Sequence, residues 1–220
     1  MGKPRSAKGR AKIVGERLAE QFPGTAKDLC ELDHDTPFQL LAATILSAQT
    51  TDKRVNEVTP VLFKKYPTPA DLAGADTAEL EEIVHSTGFY RNKAKSLIGM
   101  ARALVERFEG EVPTRIEDLV TVPGTGRKTA NVVRSVALGE PGLPVDTHVL
   151  RLSKRLGLIN EEAGDDPVKV EMALNELVKP HERGVFSLRV ILHGRRVCDA
   201  RKPRCAECVL ADICPSAGNV

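Results

Sequence analysis

The sequence predicts an all-α fold, and three observations carry that expectation. Apolar residues at helical spacing alternate with Pro and Gly breaks along the 220 residues. No period-2 run of Val, Ile or Thr lies between hairpin signals, so no strand is expected. Aromatics make up only 4% of the chain and Trp is absent. The core must then come from Ala, Val, Leu and Ile, which suits packed helices rather than a barrel or sandwich. The length allows one large domain or two small ones.

Taken in order, residues 1–10 hold Gly, Pro, Ser, Lys and Arg with little apolar content and are expected to form a disordered basic arm. Order is expected from about Ala11, where Ile13, Val14, Leu18 and Phe22 fit an amphipathic helix that stops at Pro23-Gly24. Pro37 opens Phe38 to Leu46, a nearly all-apolar helix that must be buried on most faces. The polar string Ser47 to Asp52 ends it. Further helices are expected at about Asp52 to Lys65, Asp76 to Thr87, Arg91 to Phe108 and Ile116 to Val120, separated by Pro67, Pro69, Gly88 and Pro113.

A net charge of +2 hides an uneven distribution. Lys3, Arg5, Lys8, Arg10 and Lys12 come without an acid, and Arg189, Arg195, Arg196, Arg201, Lys202 and Arg204 are offset only by Asp199. Such asymmetry suits a polyanion partner, although a basic N-terminal arm alone is an ordinary solvated feature. The longest apolar stretch, Leu40 to Leu46, is too short to cross a bilayer, and the start of the chain lacks an apolar signal region. A cytoplasmic location, associated with the nucleoid, is expected.

The segment Thr121-Val122-Pro123-Gly124-Thr125-Gly126-Arg127-Lys128-Thr129-Ala130 breaks one helix and starts another. Gly124 and Gly126 allow positive φ and close approach, and the new helix presents free N–H groups at its positive end, a phosphate cradle. A Walker A loop would need Gly immediately before Lys-Thr and a preceding strand; here Arg127 intervenes and a helix precedes. Arg127 and Lys128 stand where cations are disfavoured by about 0.3 to 1 kcal/mol. Two readings explain them: contacts to DNA phosphate, or a Lys128 amine kept neutral by its surroundings, which can attack a carbon as an ammonium cannot.

Asp146 stands in Val145-Asp146-Thr147-His148. The helix from Arg127 rises roughly 17 Å and the Gly139 to Val145 connection spans up to about 23 Å, so Asp146 can return to Lys128. An Asp before Thr-His-Val is also an ordinary helix cap. Beside an amine at a sugar, it would steer protons and stabilise charge at C1′.

Four of the five cysteines, Cys198, Cys205, Cys208 and Cys214, show the spacing C-x6-C-x2-C-x5-C. In a reducing compartment metal is favoured over disulfides, and a compact four-thiolate loop ending in Cys-Pro suits an iron–sulfur cluster better than structural zinc with its paired knuckles. Arg201, Lys202 and Arg204 lie inside the first interval, where a pinned loop would present them to a phosphate backbone. Cys30 reads as a small core residue. The five histidines show no ligand spacing and read as structural.

Together, the hairpin with Lys128, the Val145 to His148 motif and the cysteine spacing closely resemble the endonuclease III family of helix-hairpin-helix DNA glycosylases, from about Ala11 to Cys214. Leu46 to Asp52, Gly88-Phe89-Tyr90 and Ile191 to Arg195 match in the same order. The resemblance implies two helical domains: a six-helix barrel with the helix-hairpin-helix at about 30–140, and a [4Fe-4S] cluster domain joining 11–29 to 141–220. An active-site cleft would lie between them, with Lys128 facing Asp146. It implies a monomeric glycosylase and abasic-site (AP) lyase of base excision repair, acting on double-stranded DNA with oxidised pyrimidines or abasic sites. Lys128 would attack C1′ of a flipped-out nucleotide, form a Schiff base and nick the strand by β-elimination, assisted by Asp146.

By the same resemblance Gln49 fills the gap left by flipping, and Phe89 takes a wedge position where Leu is common, a place in which stacking by Phe is physically reasonable. Gly124, Gly126, Arg127 and Thr129 would hold the DNA backbone, while Ser47, Asp52 and His148 line the base pocket. Asp52 equally suits a cap on the next helix. The related adenine glycosylases need a buried carboxylate in the helix before the Gln-Thr segment, and Phe38 to Thr51 contains no Asp or Glu. A noncatalytic DNA-binding module is disfavoured by the Lys128 and Asp146 pair, since binding alone needs no carboxylate near DNA.

Overall fold

A computed structural model describes residues 6–160 and 163–219, and among them there is no strand. The α-helices are α1 (Ala7–Gln21), α2 (Pro37–Leu46), α3 (Asp52–Lys65), α4 (Pro69–Ala73), α5 (Thr77–Val84), α6 (Tyr90–Phe108), α7 (Ile116–Leu119), α8 (Arg127–Ala137), α9 (Thr147–Arg155), α10 (Pro167–Leu177) and α11 (Arg183–Arg196). The all-α expectation holds. Among the described residues no helix is long and apolar enough to cross a membrane.

The chain divides into two compact units, Cys30–Glu140 and Met1–Leu29 with Pro141–Val220. In the unit Cys30–Glu140, α2 is the central element. Every residue from Leu40 to Leu46 is buried, because α3, α6 and α8 all pack on it. That explains why α2 lacks a polar face, and each fully buried Leu contributes about 2 kcal/mol by leaving water. Thr44, the one hydroxyl in the run, donates to the Leu40 carbonyl at 2.7 Å and so costs little. Helix α6 lies against α4 and α5, and α7 against α8. The five-residue α4, which starts at Pro69, was not among the expected helices. Thr68 and Asp71 close a reciprocal capping box around it, and Pro69 sits at its start, where a missing N–H costs nothing.

In the other unit α11 plays the central part. It is buried almost continuously from Gly184 to Gly194 and packs on α1 and α9. A Cβ added to Gly194 would lie 2.9 Å from Cβ and Nδ1 of His148, so glycine is required where α9 and α11 cross. The start of α1 corrects the expected arm. The helix begins at Ala7 rather than near Ala11, with the Ser6 side chain accepting from the Gly9 N–H at 3.1 Å. Arg10 reaches the carbonyls of Leu156 and Gly157 just past α9. Those acceptors sit at the negative end of a helix, which offsets the loss of chain entropy in a basic segment. The expectation for residues 1–5 lies outside the described residues.

Candidate active site

The hairpin between α7 and α8 is held by Val122 N–H to the Leu119 carbonyl and Thr125 N–H to the Val122 carbonyl, each at 3.0 Å. Gly124 takes φ +78°, and a Cβ there would stand 3.0 Å from Ser96 Cβ and 3.2 Å from Ile45 Cδ1. The turn is thus seated on α6 and α2. Gly126 differs from expectation: its φ is −82°, open to any residue, because the reversal is completed at Gly124. A Cβ at Gly126 would meet nothing within 4 Å. Gly126 is the N-cap of α8 and supplies no side-chain oxygen, so the first-turn amides are left uncapped on an open surface. The two glycines are predicted to separate in a denaturation experiment. Gly124→Ala should cost about 1 to 3 kcal/mol through strain and overpacking, and Gly126→Ala no more than about 1 kcal/mol. Equal losses would contradict the geometry.

Arg127 and Lys128 are exposed in the first turn of α8, and Thr129 is half-buried. Burial pushes the Cys30 thiol up, the Asp52 charge raises it further and the Lys128 charge lowers it. Lys128, Asp52 and Cys30 therefore share one neighbourhood. Cys30, read as a core residue, is only partly buried there. Asp52 is the first residue of α3 and not its cap; Thr51 precedes it and accepts from the Arg54 N–H at 3.3 Å. Ser47 caps the end of α2 and donates to the Thr44 carbonyl.

Among the described residues, only Gln49, Phe89 and Glu109 have positive φ without being glycine. Glu109 is explained by its place, ending α6 with Gly110 N–H bonded to the Leu104 carbonyl, an ordinary left-handed helix stop. The other two have no such account. Gln49 (φ +55°) is exposed in the turn between α2 and α3. Phe89 (φ +48°) is 66% exposed and occupies the N-cap of α6, a position that favours Ser, Thr, Asp or Asn. A large apolar side chain in water, in a strained conformation and at a capping position, breaks three local rules at once. Such clusters of broken rules mark functional surfaces.

In the other unit Asp146 does cap α9, accepting from His148 N–H at 2.8 Å and Val149 N–H at 2.9 Å. Both bonds fall on Oδ1, so Oδ2 stays outside the cap. His148 is half-buried, its Nδ1 is 3.1 Å from the Arg151 guanidinium, and burial holds its pKa below the ordinary imidazole value.

Cys198, Cys205, Cys208 and Cys214 line one cavity backed by Leu152, Leu156 and Val197. Burial pushes the thiols of Cys208 and Cys214 up, and the neighbouring sulfurs push further in the same direction. Four thiolates here need a cationic centre. Four thiols lining one cavity are a donor set that fits an iron–sulfur cluster.

Three residues around this cavity were missed in the sequence. Arg155 donates to Cys198 Sγ at 3.3 Å and to the carbonyls of Asp199 and Ala200. Arg151 donates to the carbonyls of Gly194 and Cys198. His193 is buried, its pKa pushed down to about 4, and held between Gln21 and Cys208. The i, i+4 spacing of Arg151 and Arg155 was the available signal, since it puts both cations on one side of α9. Arg201 and Lys202 are exposed between Cys198 and Cys205, whereas Arg204 lies 3.9 Å from both Asp199 and Glu207 and is partly neutralised.

Residues 42–180 match the HhH-GPD superfamily of base excision DNA repair proteins, and residues 198–214 the iron–sulfur binding domain of endonuclease III. Endonuclease III of Synechocystis sp. is 53% identical over 213 residues, covering 96% of this chain and 94% of that protein. A non-covalent endonuclease III–DNA complex superposes with a TM-score of 0.87 at 41% identity over 96% of each chain. A trapped endonuclease III–DNA covalent intermediate does so with a TM-score of 0.87 at 42% identity, again over 96% of each chain.

Proposed function

Because the chain belongs to the HhH-GPD superfamily of base excision repair proteins, and within it to the endonuclease III family, it is a DNA glycosylase and AP lyase, and we propose that Lys128 is the amine that carries both steps. The observation that supports this most is an exposed lysine in the first turn of α8, at a helix start whose N-cap offers no side-chain oxygen.

In this reading the hairpin amides and Arg127 hold a phosphate at the positive end of α8. Gln49 and Phe89 enter the duplex and take over the stacking and pairing that a flipped nucleotide gives up. The Lys128 amine attacks C1′, the glycosidic bond breaks, and its electron pair leaves with the base, which takes up a proton. Opening of the C1′–O4′ bond gives an iminium between C1′ and Nζ. Loss of a C2′ proton then expels the 3′ phosphate, and water returns the amine. Asp146, through the Oδ2 that the cap leaves unused, accepts the proton shed by the attacking amine and stabilises positive charge at C1′.

The cofactor is a [4Fe-4S] cluster, for which Cys198, Cys205, Cys208 and Cys214 are the ligands the cavity supports. When bound it supplies structural order. Arg155 and His193 steady the sulfurs, and the ordered loop turns Arg201 and Lys202 toward a phosphate backbone.

We further propose that the substrates are oxidised pyrimidines in duplex DNA, acted on by a monomer associated with the nucleoid. A duplex carrying thymine glycol should release the base and be nicked in one reaction, at rates at least about tenfold above those on an undamaged thymine duplex. Release from alkylated purine alone, with no action on thymine glycol, would overturn the substrate reading.

A further inference from the structure

Lys93 is a cation in a costly place. It is 5% exposed, it sits in the first turn of α6 where the helix end repels positive charge, and its Nζ is held by a hydroxyl and a carbonyl rather than a carboxylate. Burial correspondingly holds its pKa below the ordinary lysine value. Its Nζ donates to the Thr87 carbonyl at 2.7 Å and to Thr50 Oγ1 at 2.8 Å. Thr50 Oγ1 in turn donates to the same Thr87 carbonyl, and the Lys93 backbone N–H closes on the Phe89 carbonyl at 3.1 Å. One side chain thus ties two segments remote in sequence, the turn at 47–51 and the turn at 87–89. Each carries one strained, exposed residue: Gln49 is next to Thr50, and Phe89 is two residues past Thr87.

We infer that Lys93 is a positioning residue that clamps the Gln49 turn and the Phe89 turn into one support, so that both side chains enter the duplex as a single rigid wedge. A left-handed Gln and a left-handed Phe are each strained and persist only where the surroundings over-determine them. The Lys93, Thr50 and Thr87 triangle supplies that constraint to both turns at once. A buried ammonium suits the task better than a neutral group, because its charge-assisted bonds to a carbonyl and a hydroxyl are stronger. The clamp deepens the proposed function and rests on its duplex-opening step.

The test is Lys93→Met, which keeps length and apolar stem but removes the donors. On duplex DNA with an abasic site, nicking should fall about tenfold or more, as misplacement of about 1 Å is enough to do. Single-stranded abasic DNA needs no wedge, and on it the fall should stay under about threefold. Amide hydrogen exchange of the free protein should show residues 47–51 and 87–90 losing protection together, with α2 and the centre of α6 unchanged. Thr50→Val should produce a smaller version of the same pattern, non-additive with Lys93→Met. Equal losses on both substrates, or exchange raised in one turn only, would overturn the clamp. A wild-type protein inactive on both substrates, with the two turns still loosened together in the variant, would defeat the functional reading and leave the clamp standing.

Discussion

Replacing Lys128 by alanine is expected to abolish borohydride trapping and to lower both base release and strand nicking by about 10³-fold or more, because the nucleophile itself is lost. The alternative is that Lys128 only holds a phosphate. That reading predicts a different result: affinity for all duplexes falls uniformly, the salt slope of binding drops by about one, and nicking recovers at saturating enzyme. Lys128 is exposed at the positive end of α8, beside an N-cap that has no side-chain oxygen, so either role is sterically open to it. The rate at saturation decides between them. Binding of Lys128→Ala to a duplex with an uncleavable abasic analogue should stay within about tenfold of wild type, since the hairpin amides and Arg127 remain.

Substitution of Asp146 separates capping from chemistry. Both cap bonds fall on Oδ1, and asparagine caps nearly as well as aspartate. Asp146→Asn should therefore shift stability by only a few tenths of a kcal/mol, while removing the base and the negative charge that the reaction uses. Activity should fall about 10²-fold or more at constant fold, which single-turnover nicking alongside a denaturation curve will resolve. Asp146→Ala should lose activity to a similar extent and also about 1 kcal/mol of stability. If Asp146→Asn keeps full activity, the residue is a cap and nothing else.

Much of this was legible in the sequence because the signals are local. The unbroken apolar run from Leu40 to Leu46 announces a helix with neighbours on every side, and α2 has them. The cysteine spacing and the Gly124 to Lys128 segment bring their chemistry together within one turn or loop. The failures share the opposite character. Helix α1 begins four residues early because Arg10 finds carbonyls at Leu156 and Gly157, and no window around Arg10 contains them. Two glycines allow a positive φ in this segment and the sequence does not say which one takes it; Gly124 alone does, since one reversal satisfies the turn. Thr51 rather than Asp52 caps α3, a choice of one residue between two good caps. Lys93 gave no signal at all: a lysine in an amphipathic helix reads as solvated surface, and only the fold reveals that Thr50 and Thr87 enclose it.

Whether Lys128 is the covalent nucleophile is decided by trapping the wild-type protein on abasic duplex DNA with borohydride, digesting the complex and locating the reduced adduct by mass spectrometry. One adduct is expected, on Nζ of Lys128. An adduct on any other amine of the chain, with Lys128 unmodified, would contradict it.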